Sequence, residues 1–122
     1  MKKLLLIISI LYSQFSFAYL QYCSNFGDGV SYSYQSCVNS NFRTIEREFA
    51  DENLFLQYCS NYGDEVQYSF TSCIQSNFRA IDRVIDQALM YCSNFDRNRL
   101  GYSFVSCSNS NFSSIERNFP QR

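Results

Sequence analysis

The sequence contains no histidine, and this absence excludes several classes of enzyme. Serine and cysteine hydrolases that use a histidine base cannot be built from it. The four glycines form no phosphate-binding loop. Carboxylates remain as candidates for acid–base chemistry, and the repeated ones are Glu46, Asp82 and Glu116. An arginine follows each of them, so we interpret them as members of local ion pairs on a solvated helix face.

Lysine occurs only at Lys2 and Lys3, directly before an apolar run that ends in Ser16-Phe17-Ala18. This arrangement predicts a secretory signal peptide over residues 1–18, cleaved after Ala18. The run is too short for a stable membrane span, and no second apolar run follows. We therefore expect no membrane span after cleavage and a final location in the periplasm or outside a bacterial cell. An uncleaved membrane anchor is the alternative.

A basic block is also lacking in the predicted mature chain, residues 19–122. It contains eight arginines and eleven acidic residues, which gives a net charge of −3. This balance argues against nucleic acid as a partner. The length suits one small domain with a modest core. Six cysteines in a short exported chain predict a disulfide framework.

One sequence pattern occurs three times, at residues 22–49 (repeat 1), 58–85 (repeat 2) and 91–119 (repeat 3). Repeats 1 and 2 are identical at 17 of 28 positions without a gap. Repeat 3 carries one inserted residue in "DRNRLG", where the others read "GDGVS" and "GDEVQ". Because insertions concentrate in loops, each repeat is expected to have a loop at this point.

The second half of each repeat has a helical period. Apolar residues recur every three or four positions, at Val30, Tyr34, Val38, Phe42, Ile45 and Phe49 in repeat 1. The first half shows a shorter run of four-residue spacing, as in Leu54, Tyr58 and Tyr62, and is interpreted as a short helix. The predicted fold is therefore all-α: three tandem αα-hairpin repeats in a short solenoid-like array.

Two features complicate this interpretation. Ser108 interrupts the apolar stripe of repeat 3, which would suit a terminal repeat with one face uncovered. The segments "VSYSYQS", "VQYSFTS" and "LGYSFVS" alternate with period two, so a short strand there is an alternative.

The cysteines occur in pairs that span the predicted loop. If the flanking segments are antiparallel, the two cysteines of one repeat come within disulfide distance. This predicts Cys23–Cys37, Cys59–Cys73 and Cys92–Cys107. The competing scheme joins Cys37 to Cys59 and Cys73 to Cys92, which leaves two cysteines far apart. A zinc site would need closer cysteines and usually histidine, so no metal or other cofactor is expected.

Asparagines recur inside the apolar stripe, at Asn41, Asn77 and Asn111. A buried amide must be hydrogen-bonded. We predict that these side chains tie the helix to neighbouring backbone, with ligand binding as the alternative.

The face opposite the stripe carries serines and the arginines Arg43, Arg47, Arg79, Arg83 and Arg117. Such a surface is either an ordinary solvated face or a donor-rich surface for carboxylates or another protein. Tyr32, Tyr68 and Tyr102 either pack between repeats or form an exposed aromatic ladder that could bind a protein or stack on sugars.

These observations favour an exported, non-enzymatic interaction protein that presents a rigid repeat surface to a protein or glycan. A small secreted effector or enzyme inhibitor is the first alternative. A carboxylate-based hydrolase ranks third, because it needs two carboxylates in one cleft.

Overall fold

The computed structural model describes residues 19–120, so the predicted signal peptide lies outside the described residues. The chain there forms three α-helices, α1 (Tyr32–Glu48), α2 (Tyr68–Ile85) and α3 (Tyr102–Arg117), and a 3-10 helix, Ala50–Glu52. No strand occurs within this range, and the all-α prediction is confirmed. None of the described helices is long and apolar enough to cross a membrane.

The helical-hairpin prediction is not confirmed, because the first half of each repeat is extended chain rather than a short helix. We call residues 19–26, 54–62 and 88–95 the extended segments of repeats 1, 2 and 3. Tyr58 and Tyr62 are exposed, so their four-residue spacing does not mark a buried helix face. Side chains of the helices bind the backbone of these segments and replace the hydrogen bonds that a helix would have supplied.

The three helices run parallel to one another, since equivalent residues meet at both ends. Near the start, the rings of Tyr34 and Phe70 lie 6.3 Å apart. At the far end, Phe49 and Phe119 lie 5.8 Å apart. Each extended segment therefore returns the chain to the beginning of the next helix.

The centre of the core is a triangle of one phenylalanine from each helix. Phe42, Phe78 and Phe112 lie 5.3–5.6 Å apart, and every pair is edge-to-face. All three are buried. This geometry is favourable for aromatic rings beyond the area they bury. The predicted apolar stripe thus faces a shared axis.

Ser108 is fully buried, so the idea that its position belongs to an uncovered terminal face is wrong. Its hydroxyl lies 2.9 Å from the Tyr34 hydroxyl and also donates to the Val105 carbonyl. Phe70 and Phe104 occupy the positions equivalent to Tyr34. The small serine provides the polar partner that the one buried tyrosine of this layer needs. Burial raises the pKa of the Tyr34 phenol, and the bond to Ser108 only partly offsets this.

The repeats form a closed ring rather than an open array. Asn39 of repeat 1 bonds both backbone groups of Cys59 in repeat 2. Gln75 of repeat 2 accepts from Cys92 in repeat 3. Asn109 of repeat 3 bonds both backbone groups of Cys23 in repeat 1. Repeat 3 therefore contacts repeat 1 as repeat 1 contacts repeat 2.

The loops before the helices meet at one end of the bundle. The Gly29 amide donates to the Asn98 carbonyl at 2.7 Å, and Val66 donates to Arg97. Gly29 has a φ of +66°, and a Cβ there would lie 2.7 Å from the Asp64 carbonyl oxygen. Only glycine fits this close approach.

Candidate binding grooves

Each helix is joined to the extended segment of its own repeat by one disulfide. The bonds are Cys23–Cys37, Cys59–Cys73 and Cys92–Cys107, which confirms the predicted pairing. The Cα atoms lie 5.6 Å apart in all three. Among residues 19–120 no cysteine is free. The prediction succeeded although the first partner is not helical, because an extended segment also lies antiparallel to the helix.

A second tie within each repeat comes from a buried asparagine. Asn41 donates to the Gln21 carbonyl and accepts from the Gln21 amide, both at 2.8 Å. Asn77 makes the same pair of bonds with Gln57, and Asn111 with Met90. All three asparagines are at most 2 % exposed. Their amides are thus fully engaged with backbone, as a structural tie requires.

The repeated carboxylates lie at junctions between repeats, so their interpretation as a solvated face with local ion pairs is wrong. Glu46 accepts from the Leu56 amide of repeat 2 at 3.0 Å. Asp82 accepts from Leu89 ahead of α3, and Glu116 accepts from Leu20 ahead of α1. Each carboxylate serves a different junction. The bonds hold each extended segment beside the preceding helix in the ring.

The predicted arginines lie on the outward faces of the helices. All five are exposed: Arg43, Arg47, Arg79, Arg83 and Arg117. Arg47 and Arg117 each donate to a hydroxyl three residues earlier, on Thr44 and Ser114. Serines share these faces, as the sequence predicted.

The tyrosines at the helix starts point to solvent. Tyr32, Tyr68 and Tyr102 are 82–83 % exposed, so packing between repeats is wrong and the exposed alternative describes them. Two further threefold sets of exposed rings were missed: Tyr22, Tyr58 and Tyr91, and Phe26, Tyr62 and Phe95. Their recurrence in all three repeats is a visible signal, but the four-residue spacing of Leu54, Tyr58 and Tyr62 favoured a short helix at these positions.

Together with the outward faces of the helices, five of these rings line grooves between repeats: Tyr22, Tyr58, Tyr68, Tyr91 and Phe95. Groove 1 lies between α1 and the extended segment of repeat 2, with a volume of about 370 Å³, and is lined by Ser36, Asn39, Ser40, Arg43, Arg47 and Tyr58. Groove 2 lies between α2 and the extended segment of repeat 3, with a volume of about 310 Å³, and its lining includes Tyr68, Ser72, Ser76, Arg79, Tyr91 and Phe95. Groove 3, between α3 and the first extended segment, is smaller at about 100 Å³.

The grooves differ in charge. Grooves 1 and 2 contain arginine and no carboxylate among their lining residues. In groove 3, Ser113 occupies the position that Arg43 and Arg79 hold in repeats 1 and 2. Glu116 forms part of the wall of this groove. The equivalent Glu46 and Asp82 make the same backbone bond at the other two junctions, so Ser113 is the substitution that distinguishes groove 3. The ring is therefore threefold in backbone but not in the chemistry of its grooves.

Among residues 19–120 no cluster of cysteine, aspartate and glutamate could hold a metal ion. Comparison with protein-family models, with curated proteins and with solved structures gave no match to this chain. The grooves themselves are therefore the basis for inferring a function.

Proposed function

We propose that this chain is an exported, non-enzymatic binding protein that holds a protein or glycan partner in the grooves between its repeats. The observation that carries the proposal is the threefold set of exposed rings, Tyr22, Tyr58 and Tyr91, each placed beside the outward face of the preceding helix. Exposed aromatic rings next to arginine are typical of binding surfaces.

Rigidity supports the same conclusion. Each of these three tyrosines directly precedes a cysteine whose disulfide fixes the segment to its helix. The asparagine ties hold the backbone two residues before each of these cysteines. A groove ordered before the ligand arrives loses less conformational entropy on binding.

The carboxylates support binding over hydrolysis. Glu46, Asp82 and Glu116 each accept a backbone N–H from a different extended segment. A two-carboxylate glycosidase needs both groups beside one scissile bond. Export is supported by the three disulfides, which suit an oxidising compartment.

The proposal is tested with a triple variant, Tyr22→Ser, Tyr58→Ser and Tyr91→Ser, compared with the wild-type protein. Both are screened against arrays of neutral and acidic glycans and against a panel of purified cell-envelope proteins. We expect at least one ligand whose affinity falls about tenfold or more in the triple variant, the loss typical of a groove aromatic.

A matched control removes two exposed rings outside the grooves, Tyr19→Ser and Phe55→Ser. This variant should bind as the wild type does. Absence of any ligand for the wild-type protein, or a ligand that all three proteins bind equally, would contradict the proposal.

A further inference from the structure

We propose that grooves 1 and 2 bind an oligosaccharide that carries carboxylate groups, and that groove 3 does not. This inference rests on the proposed binding function and names its ligand class. It follows from three properties of the grooves: their rings, their polar floors and their charge.

Exposed aromatic rings line groove 2, and aromatic rings are surfaces on which sugar residues can stack. In groove 2, Tyr68 contributes from the start of α2, and Tyr91 and Phe95 contribute from the extended segment of repeat 3. They are 82 %, 64 % and 92 % exposed. The C–H bonds on one face of a pyranose carry partial positive charge, which the negative face of an aromatic ring attracts. Three rings along one groove suit a chain of sugars better than a single one.

The floors are polar and rich in hydroxyls. Ser36 and Ser40 lie in groove 1, and Ser72 and Ser76 occupy the same positions in groove 2. No aliphatic side chain lines either groove. A protein partner would be expected to bury an apolar centre. Serine hydroxyls both donate and accept, which matches the hydroxyls of a sugar. The floor therefore favours a glycan over a protein.

The charged side chains that line the two grooves are arginines, although the whole sequence has a net charge of −1. Arg43 and Arg47 line groove 1, and Arg79 lines groove 2, with no acidic side chain in either lining. A guanidinium presents parallel N–H donors that match the two oxygens of a carboxylate. A uronic acid offers that carboxylate at the edge of a ring whose face can stack.

Groove 3 provides an internal comparison. Its lining keeps Tyr22 but has Ser113 at the arginine position and includes Glu116. A carboxylate bound there would lack the guanidinium that Arg43 or Arg79 supplies in the other two grooves, so its binding is disfavoured. The ring should therefore bind two acidic ligands and not three.

The test uses trisaccharides of galacturonate, glucuronate or mannuronate, each paired with its own methyl ester, titrated into the oxidised protein in a calorimeter. At least one acid should bind at two sites per chain, and its ester about tenfold more weakly, the effect of losing one charge-assisted pair.

Arg43→Gln with Arg79→Gln should reproduce the loss. The control Arg99→Gln makes the same type of change outside the grooves, at an exposed ion pair with Asp28. A Ser113→Arg variant should raise the number of sites toward three.

The outcomes separate this inference from the function on which it rests. If an acid and its ester bind equally, or if the double arginine variant binds as well as the control, the role of charge is wrong while the binding function stands. If no acid binds but the tyrosine-dependent screen finds another ligand, the ligand class is wrong. If neither experiment finds a ligand, both proposals fail.

Discussion

At the scale of single residues, amide side chains form the hydrogen bonds to extended backbone that a neighbouring strand would form in a sheet. Asn109 lies against Cys23, and its side chain satisfies both the N–H and the C=O of that residue at 2.8 Å. Asn41 does the same for Gln21, two residues earlier in the segment. Gln21 is therefore bound by α1 and Cys23 by α3, so two helices share one segment between them.

Replacing Asn109 with alanine should be costly, because it leaves two buried backbone groups of Cys23 without partners. We expect the free energy of unfolding to fall by about 3 kcal/mol, within the range for unsatisfied buried polar groups. Urea denaturation of the oxidised protein measures this. Asn98→Ala, in an exposed loop, is the matched control and should change stability by less than about 0.5 kcal/mol. A loss in Asn109→Ala no larger than in the control would show that the tie is not energetically important.

At the scale of elements, the helices follow from the sequence and the segments between them do not. The three- and four-residue spacing around Phe42 specified the buried face of α1, and the same holds for α2 and α3. The spacing of Tyr58 and Tyr62 is also four, yet both rings are exposed. A four-residue spacing that extends over only two turns is therefore not enough to identify a buried helix face. The extended state depends on amides from two helices, a long-range effect that local spacing does not contain.

The cysteine pairing could be predicted because nearly equal spacing in three copies constrains it. It also leads to a test at this scale. The three disulfides close loops with sequence separations of 14, 14 and 15. In the chain-entropy model, removing any one pair, for example with Cys59→Ala and Cys73→Ala, should cost about 3 kcal/mol. Thermal or urea denaturation of the three double variants should give losses that agree within about 1 kcal/mol. A much larger loss for one pair would show that the repeats are not equivalent in stability.

At the scale of the whole molecule, the closed ring of three repeats is the feature that could not be predicted from the sequence. Asn109 and Cys23 are 86 residues apart, and nothing near either residue indicates that they meet. The repeats alone fit an open array equally well. The candidate site could likewise be predicted only in part. The sequence identified Arg43 and Tyr68, but the grooves form because each helix lies beside the extended segment of the next repeat in the ring.

Closure predicts that the chain tolerates circular permutation. Leu20 and Glu116 are in direct contact, so a short linker can join residues 119 and 19. New termini placed at the exposed Asn53 would interrupt no helix. We expect the permutant to form the same three disulfides and to lose no more than about 2 kcal/mol of stability. Peptide mapping and urea denaturation check this. Failure to form the native disulfides would contradict the closed arrangement, as a linear array would leave its two ends apart.

The phenylalanine triangle sets a limit on growth. Open arrays of repeats lengthen by duplication, because every added copy finds the same neighbour as the last. Around Phe42, Phe78 and Phe112 each ring already touches the other two, and no side of the triangle is open. A fourth copy inserted into this chain would find no place at the axis. Three is therefore the copy number at which such an assembly is complete, and its grooves differ through their side chains, as Ser113 illustrates.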